Sequence, residues 1–122
     1  MRDLIGEIGT KLHARLPPTI KICYYRTPDG IYDTLVLIRP YEVERSALSA
    51  SNKSLQTAVT FQIDVQSTNR MVCRETQATV EETLKELGYY RLNGQELDDY
   101  LDNKHYVLAY RYKMKTKLYE VI

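Results

Sequence analysis

The sequence predicts an α+β domain, a mostly antiparallel sheet of four to five strands with an N-terminal helix and a second helix packed on the sheet. Three patterns carry this. Leu4, Ile5, Ile8, Leu12 and Leu16 recur at helical spacing and make one apolar stripe. Val59, Phe61, Ile63 and Val65 alternate with Thr60, Gln62, Asp64 and Gln66, the period of a strand with one buried and one wet face. Val72 or Cys73, Thr76, Val80, Leu84 and Leu87 return to helical spacing, with Arg70, Arg74, Glu75, Glu81, Glu82 and Lys85 on the other side.

The elements follow in order. The first helix spans residues 2–16 and stops at Pro17-Pro18, because proline lacks the amide donor and restricts its predecessor. Strands at 20–25 and 31–39 flank Thr27-Pro28-Asp29-Gly30, a strong turn signal, and read as an antiparallel hairpin. After Pro40, residues 42–56 show little periodicity. They read either as a mobile surface connection or as a segment that orders on assembly, with Val43, Leu48 and Leu55 as apolar anchors among Glu44, Arg45, Lys53 and small residues. Ser67, Thr68 and Asn69 offer capping oxygens to the second helix, and Gly88 stands where a left-handed cap would close it. A short strand at 89–92, an Asn93-Gly94 turn and an acidic segment at 96–102 lead to the last strand. There Tyr106, Leu108, Tyr110, Tyr112 and Met114 alternate with Val107, Ala109, Arg111, Lys113 and Lys115.

At 122 residues the chain fits one domain, residues 1–122, large enough to bury a core without staples. Its hydrophobic content of 43% and charged content of 27% are those of a globular protein. A formal net charge of +1 argues against a general nucleic-acid or membrane-surface binder, though local patches stay open. No apolar run reaches the roughly 20 residues that span a bilayer, and the N-terminus lacks a signal-peptide pattern, so a cytoplasmic start is expected. Cys23 and Cys73 form no CxxC pair and read as reduced core thiols. Eleven tyrosines, one phenylalanine and no tryptophan suit half-buried sheets and wet interfaces.

No catalytic constellation emerges. His13 and His105 stand in no nucleophile motif and read as surface residues, and phosphate-loop, dinucleotide and GxSxG patterns are missing. The acidic group Glu96, Asp98, Asp99 and Asp102 lacks calcium-loop spacing and reads as a solvated turn or short helix. No metal or cofactor is expected. The basic stripe Arg111, Lys113 and Lys115 has two readings: lysines protecting an edge strand, or an electrostatic contact with a partner or with DNA passing nearby.

The helix closed by Leu16-Pro17-Pro18, the Pro28-Asp29-Gly30 hairpin, the strand from Thr57 to Val65 running into a helix after Ser67, and the closing Tyr110-Arg111-Tyr112-Lys113 form one succession. Nearly the whole chain resembles the tail-terminator and tail-completion proteins of long-tailed bacteriophages. The resemblance implies a structural virion protein, not an enzyme, without cofactor or membrane association. It implies a ring, usually a hexamer, assembled in the host cytoplasm and sited at the tail–neck junction. Such a ring caps the tail tube, ends its polymerisation and joins the tail to a head-side connector or stopper, with DNA only passing through its lumen. A head-to-tail ring needs two different patches on each subunit, which the mixed-charge helix and the tyrosine-rich sheet could supply. Residues 42–56 would meet the tail tube, which makes Val43, Glu44, Arg45, Leu48, Lys53 and Leu55, with the basic stripe, the candidate partner contacts. Two other readings stay open: a head–tail connector or stopper, whose loop would close the lumen, and a small enzyme or inhibitor domain, which would show a concave pocket with perturbed ionisable groups.

Overall fold

The computed structural model describes residues 3–27, 29–30, 32–47, 55–100 and 105–117. The order of elements is α1 (Leu4–Arg15), β1 (Lys21–Tyr24), β2 (Thr34–Ala47), β3 (Leu55–Ser67), α2 (Arg70–Glu86), β4 (Tyr90–Tyr100) and β5 (His105–Lys117). The five strands make one sheet in the order β1-β2-β3-β5-β4, antiparallel except for the β1–β2 pair. The α+β architecture, with both helices on the sheet, is the one the sequence predicts.

Each helix is bounded by its own chemistry. Asp3 caps α1, its carboxylate accepting from the Gly6 N–H at 3.0 Å, and Leu16 turns extended before the prolines. Asn69 caps α2, its side-chain oxygen accepting from the N–H groups of Met71 (2.9 Å) and Val72 (3.1 Å). At the other end Gly88 adopts φ 97. Its N–H donates to Lys85 O at 3.0 Å, and the Tyr89 N–H donates to Leu84 O at 2.9 Å. That pair of bonds is a Schellman motif, and Tyr89 and Leu84 supply its apolar contact inside the core.

The predicted stripes converge in one core. Leu4, Ile8 and Leu12 of α1, Cys73, Val80 and Leu84 of α2, and Phe61, Ile63 and Val65 of β3 are all buried there, joined by Tyr112 of β5. Arg15 and Lys11 of α1 form ion pairs with Glu86 of α2, tying the helices together at their exposed margin. The core holds the second face of β3 less exposed than its polar alternation suggests. Thr60, Asp64 and Gln66 are buried on this face, Thr60 flanked by Glu42 and Lys113, Asp64 engaged by Arg39 and Gln62, and Gln66 set between Leu35 and Val107. Both cysteines are buried thiols outside any disulfide, as the sequence leads one to expect.

Four expectations need correction. β1 and β2 do not form a hairpin but run parallel, with Lys21 beside Leu35 and Tyr24 beside Ile38. The Asp29-Gly30 bend lies in the connection, but it does not fold β2 back against β1, and Tyr25 (φ 69) before it is left-handed as well as Gly30 (φ 116). Second, 42–56 is not a loop throughout. Residues 42–47 continue β2 and residues 55–56 begin β3, paired from Glu42↔Thr60 to Ala47↔Leu55. Polar and small residues there hide an extended ladder, since backbone bonds need no apolar alternation; residues 48–54 lie outside the described residues. Third, Asn93-Gly94 makes no turn. β4 runs through it with a register shift between Arg91 and Gly94, a bulge, and carries on through the acidic residues to Tyr100. Asp102 lies outside the described residues. Fourth, His105 is buried, with Nε2 3.0 Å from Tyr32 O, because the β2 approach folds over the start of β5; only His13 is on the surface.

Candidate assembly surface

Both helices pack on the same side of the sheet, so the other side carries no described helix. Among the described residues, a small cluster of Cys23, Leu35 and Leu37, with Tyr32 packed against it, gives that side a dry corner. Register defines the rest. Gln62 stands between Arg39 and Arg111, Thr60 between Glu42 and Lys113, and Ala58 lies beside Lys115. Burial of Phe61, Ile63 and Val65 on the helix side puts Thr60, Gln62 and Asp64 on the open one.

A polar network organises this face. Arg39 pairs with Asp64 at 3.3 Å, and Gln62 Nε2 donates to the other Asp64 oxygen at 3.0 Å. The Gln62 carbonyl oxygen accepts from Arg111 Nε at 3.4 Å. The Arg111 guanidinium also lies over the Tyr41 ring, 3.8 Å from its centroid, a cation–π contact that fixes the plane of the fork. Beside the network Lys113 is half-buried, and Lys115 and Tyr90 are exposed.

The basic stripe belongs to an edge only at its end. β3 pairs with β5 along its length, but β4 covers the other side only as far as Lys113, opposite Tyr90, so Arg111 and Lys113 stand on an interior stretch and Lys115 lies beyond the end of β4. The edge-protection reading falls for Arg111 and Lys113 and stands for Lys115, because strand order is a tertiary property that alternation within one strand does not encode.

The sheet has a different unpaired margin. β1 pairs only with residues 35–38 of β2, so residues 39–47 have no described strand on that side. Pro40 lies on this margin with a bulge just after it, and a proline at a sheet edge loses no ladder bond. Tyr25, Tyr41 and Val43 are exposed near it. Of the sequence-predicted contacts, Val43 sits opposite Val59, while Glu44, Arg45 and Leu55 are placed by backbone alone, opposite Ala58, Thr57 and Ala47. Leu48 and Lys53 lie outside the described residues. Arg39, Tyr41 and Gln62 escape the sequence reading. Only strand pairing reveals that Gln62 and Tyr41 meet Arg111 and that Arg39 meets Asp64.

On the helix side Tyr112 is wholly buried and still hydrogen-bonded. Its hydroxyl donates to Glu81 Oε1 at 2.9 Å and accepts from Gln77 Nε2 at 2.7 Å. Burial, followed by the Glu81 hydrogen bond, pushes its phenol well above the usual tyrosine range. Arg91 reaches the same carboxylate at 3.5 Å and rests on the Tyr110 ring, 4.9 Å from its centroid. This cluster joins β4 and β5 to α2. No helix among the described residues is long and apolar enough to cross a membrane.

No protein-family model matches the chain, and no curated protein matches it. Solved structures do. One is a chain in the virion of a native gene transfer agent particle, with a TM-score of 0.64 at 12% identity over 95% of this chain and 96% of that one. Another comes from the sheath/tube terminator of an extracellular contractile injection system, PVC, in its extended state, with a TM-score of 0.59 at 15% identity over 97% of this chain. This chain spans 56% of that terminator chain. The fold is one that a gene transfer agent virion and an injection-system sheath/tube terminator share, as the resemblance to phage tail terminators leads one to expect.

Proposed function

We propose that this chain is a structural protein of a phage-like particle, acting as its tail terminator. Copies join into a ring, six in the form the resemblance implies, which caps the tail tube, ends its polymerisation and joins the tail to a head-side connector. The observation that carries this reading is fold agreement over nearly the whole chain with the two tail-bearing or virion assemblies. The unpaired margin of β2 supports it, since an exposed row of backbone donors and acceptors is a ready contact for another strand. The part of the predicted tail-tube contact that belongs to this margin is Val43, Glu44 and Arg45. The role requires no catalytic chemistry or cofactor, and its site of action is the virion.

Mass photometry of the purified chain, alone and with tail tubes of the same particle, tests the reading. The expected result is a discrete ring mass and tubes that stop growing once capped. Monomer in both samples, with tubes growing unchecked, refutes it. Images of capped tubes also separate a terminator, whose lumen is open, from a stopper, whose lumen is closed by a loop.

A further inference from the structure

We propose that the open sheet face binds the phosphate backbone of duplex DNA through Arg111, Lys113 and Lys115. The inference deepens the tail-terminator reading, because a channel that passes a genome presents a wall to it, but its chemistry belongs to the single chain.

Three cations at alternate positions of one strand repel one another, and edge protection accounts at most for Lys115, which lies beyond the end of β4. Their arrangement fits a regular polyanion. Side chains two residues apart on a strand stand about 6.8 Å apart. Successive phosphates of one duplex strand rise about 3.4 Å along the axis and, wound around it, stand about 7 Å apart through space, so a row laid along the backbone meets successive phosphates.

Arg111 is held for such a contact by uncharged partners. Gln62 takes its Nε and the Tyr41 ring takes its flat face, and neither neutralises it. The outer nitrogens of the guanidinium are the bidentate phosphate-binding end. The surroundings are also net cationic: among the described side chains of this face, Lys21, Arg39 and the stripe stand against Asp64 and Glu42. Arg39 already engages Asp64. With Tyr41 taken by Arg111, Tyr90 is the exposed ring left beside the stripe, and one ring is not the succession of platforms that unpaired bases stack on, which favours backbone contact with a duplex over single-strand recognition.

The test is fluorescence anisotropy of a labelled duplex of about 20 base pairs with the full chain, at several salt concentrations. Neutralising three phosphates gives a slope of log affinity against log salt of about −2.7, at about −0.9 per phosphate. The Arg111→Gln, Lys113→Gln, Lys115→Gln variant should lose at least about tenfold in affinity at 50 mM salt, and its slope should approach zero. A matched variant of the helix side, Lys11→Gln, Arg70→Gln, Lys85→Gln, should bind as the parent does. Polyglutamate should compete with the duplex poorly or not at all.

Equal loss in the two triple variants would show that binding follows overall charge and would overturn the proposal. So would an unchanged affinity in the stripe variant. Competition by polyglutamate as effective as that by unlabelled duplex would assign the face to an acidic protein instead. Should the triple variant melt early, Lys113→Gln and Lys115→Gln taken singly must each reduce the slope by about 0.9, and an unchanged slope overturns the proposal equally. Mass photometry on the same samples separates the two readings. A monomer that binds duplex refutes the ring alone, and a ring that ignores duplex refutes this inference alone.

Discussion

Tyr112→Phe removes one oxygen from the middle of the fold, and the structure says what that oxygen does. The wholly buried hydroxyl donates to the Glu81 carboxylate and accepts from the Gln77 amide. A hydrogen bond to a charged group contributes about 1.5–3 kcal/mol, and a buried amide donor left without an acceptor costs about 1–3 kcal/mol. Glu81 retains Arg91 and Lys85 nearby, at 3.5 and 3.8 Å, so its own loss is partly absorbed. The two effects overlap, and the expected destabilisation at pH 7 is about 2–4 kcal/mol. The phenol adds a pH signature. Its folded pKa is raised above the ordinary 10.0, so the folded chain holds a proton that the unfolded chain releases. That contribution is complete below pH 10 and is lost as pH climbs toward the folded value, at about 1.4 kcal/mol per pH unit. Contributions common to both proteins cancel in the difference. Urea unfolding followed by circular dichroism at pH 7, 10 and 11 should therefore show the gap between parent and variant narrowing above pH 10. Equal stability at pH 7, or parallel curves to pH 11, would refute the assigned hydrogen bonds.

Three further substitutions test the scaffold. Phe61→Ala empties the centre of the core, where the ring packs against Tyr89 at 5.9 Å between centroids, and should cost about 3–5 kcal/mol in chemical denaturation. An unchanged melting temperature would contradict the buried face of β3. Gly88→Ala places a side chain at φ 97 and should lower stability by at least about 1 kcal/mol in thermal melts, whereas Gly6→Ala probes only an ordinary helical backbone and a crowded cap. Asn69→Ala removes the oxygen that caps two N–H groups and should cost about 1 kcal/mol, with the loss of amide protection concentrated in the first turn of α2 in hydrogen exchange.

The sequence made local structure legible and left tertiary relations dark. The stripe of α1 and the alternation of β3 are local periodicities, and their residues lie in the core as read. The caps were legible in kind: of Ser67, Thr68 and Asn69, Asn69 takes the cap, while the Ser67 hydroxyl bonds Thr34 at 2.9 Å and the Asn69 N–H at 3.1 Å. The misreadings share a cause. Asp29-Gly30 and Asn93-Gly94 are true signals that the backbone bends, but a bend closes a hairpin only if the flanking strands pair with each other. β1 pairs with β2 in parallel, and β4 absorbs the second signal as a bulge. The ladder of 42–47 with 55–60 was invisible for a related reason: its stability comes from backbone bonds between distant residues, not from side-chain pattern. At the candidate surface, Arg111, Lys113 and Lys115 were visible as a row, but Gln62, Arg39 and Tyr41 became their neighbours only through strand pairing.

Strand order also decides what the basic row means. With β5 at an edge, lysines would keep other strands away, and replacing them would invite association. With β5 covered by β3 and, as far as Lys113, by β4, Arg111 and Lys113 stand on a face, and the open margins among the described strands include the stretch of β2 beyond β1, the outer side of β4 and the end of β5 that carries Lys115. The two surfaces differ physically. An edge offers backbone hydrogen bonds, which depend on alignment and little on salt, whereas a cationic face offers long-range attraction that about 0.15 M salt screens within about 8 Å. A subunit carrying both can hold its neighbours by one and meet a charged partner by the other without the contacts competing. Salt should then weaken duplex binding while leaving association between copies nearly unchanged. Substitution of Val43 by Pro, which removes a donor from the β2 ladder, should do the opposite, and mass photometry with anisotropy on one variant set reads both effects. If raising salt dissolves the ring and the duplex complex together, edge and face are not separate devices, and the division of labour drawn here fails.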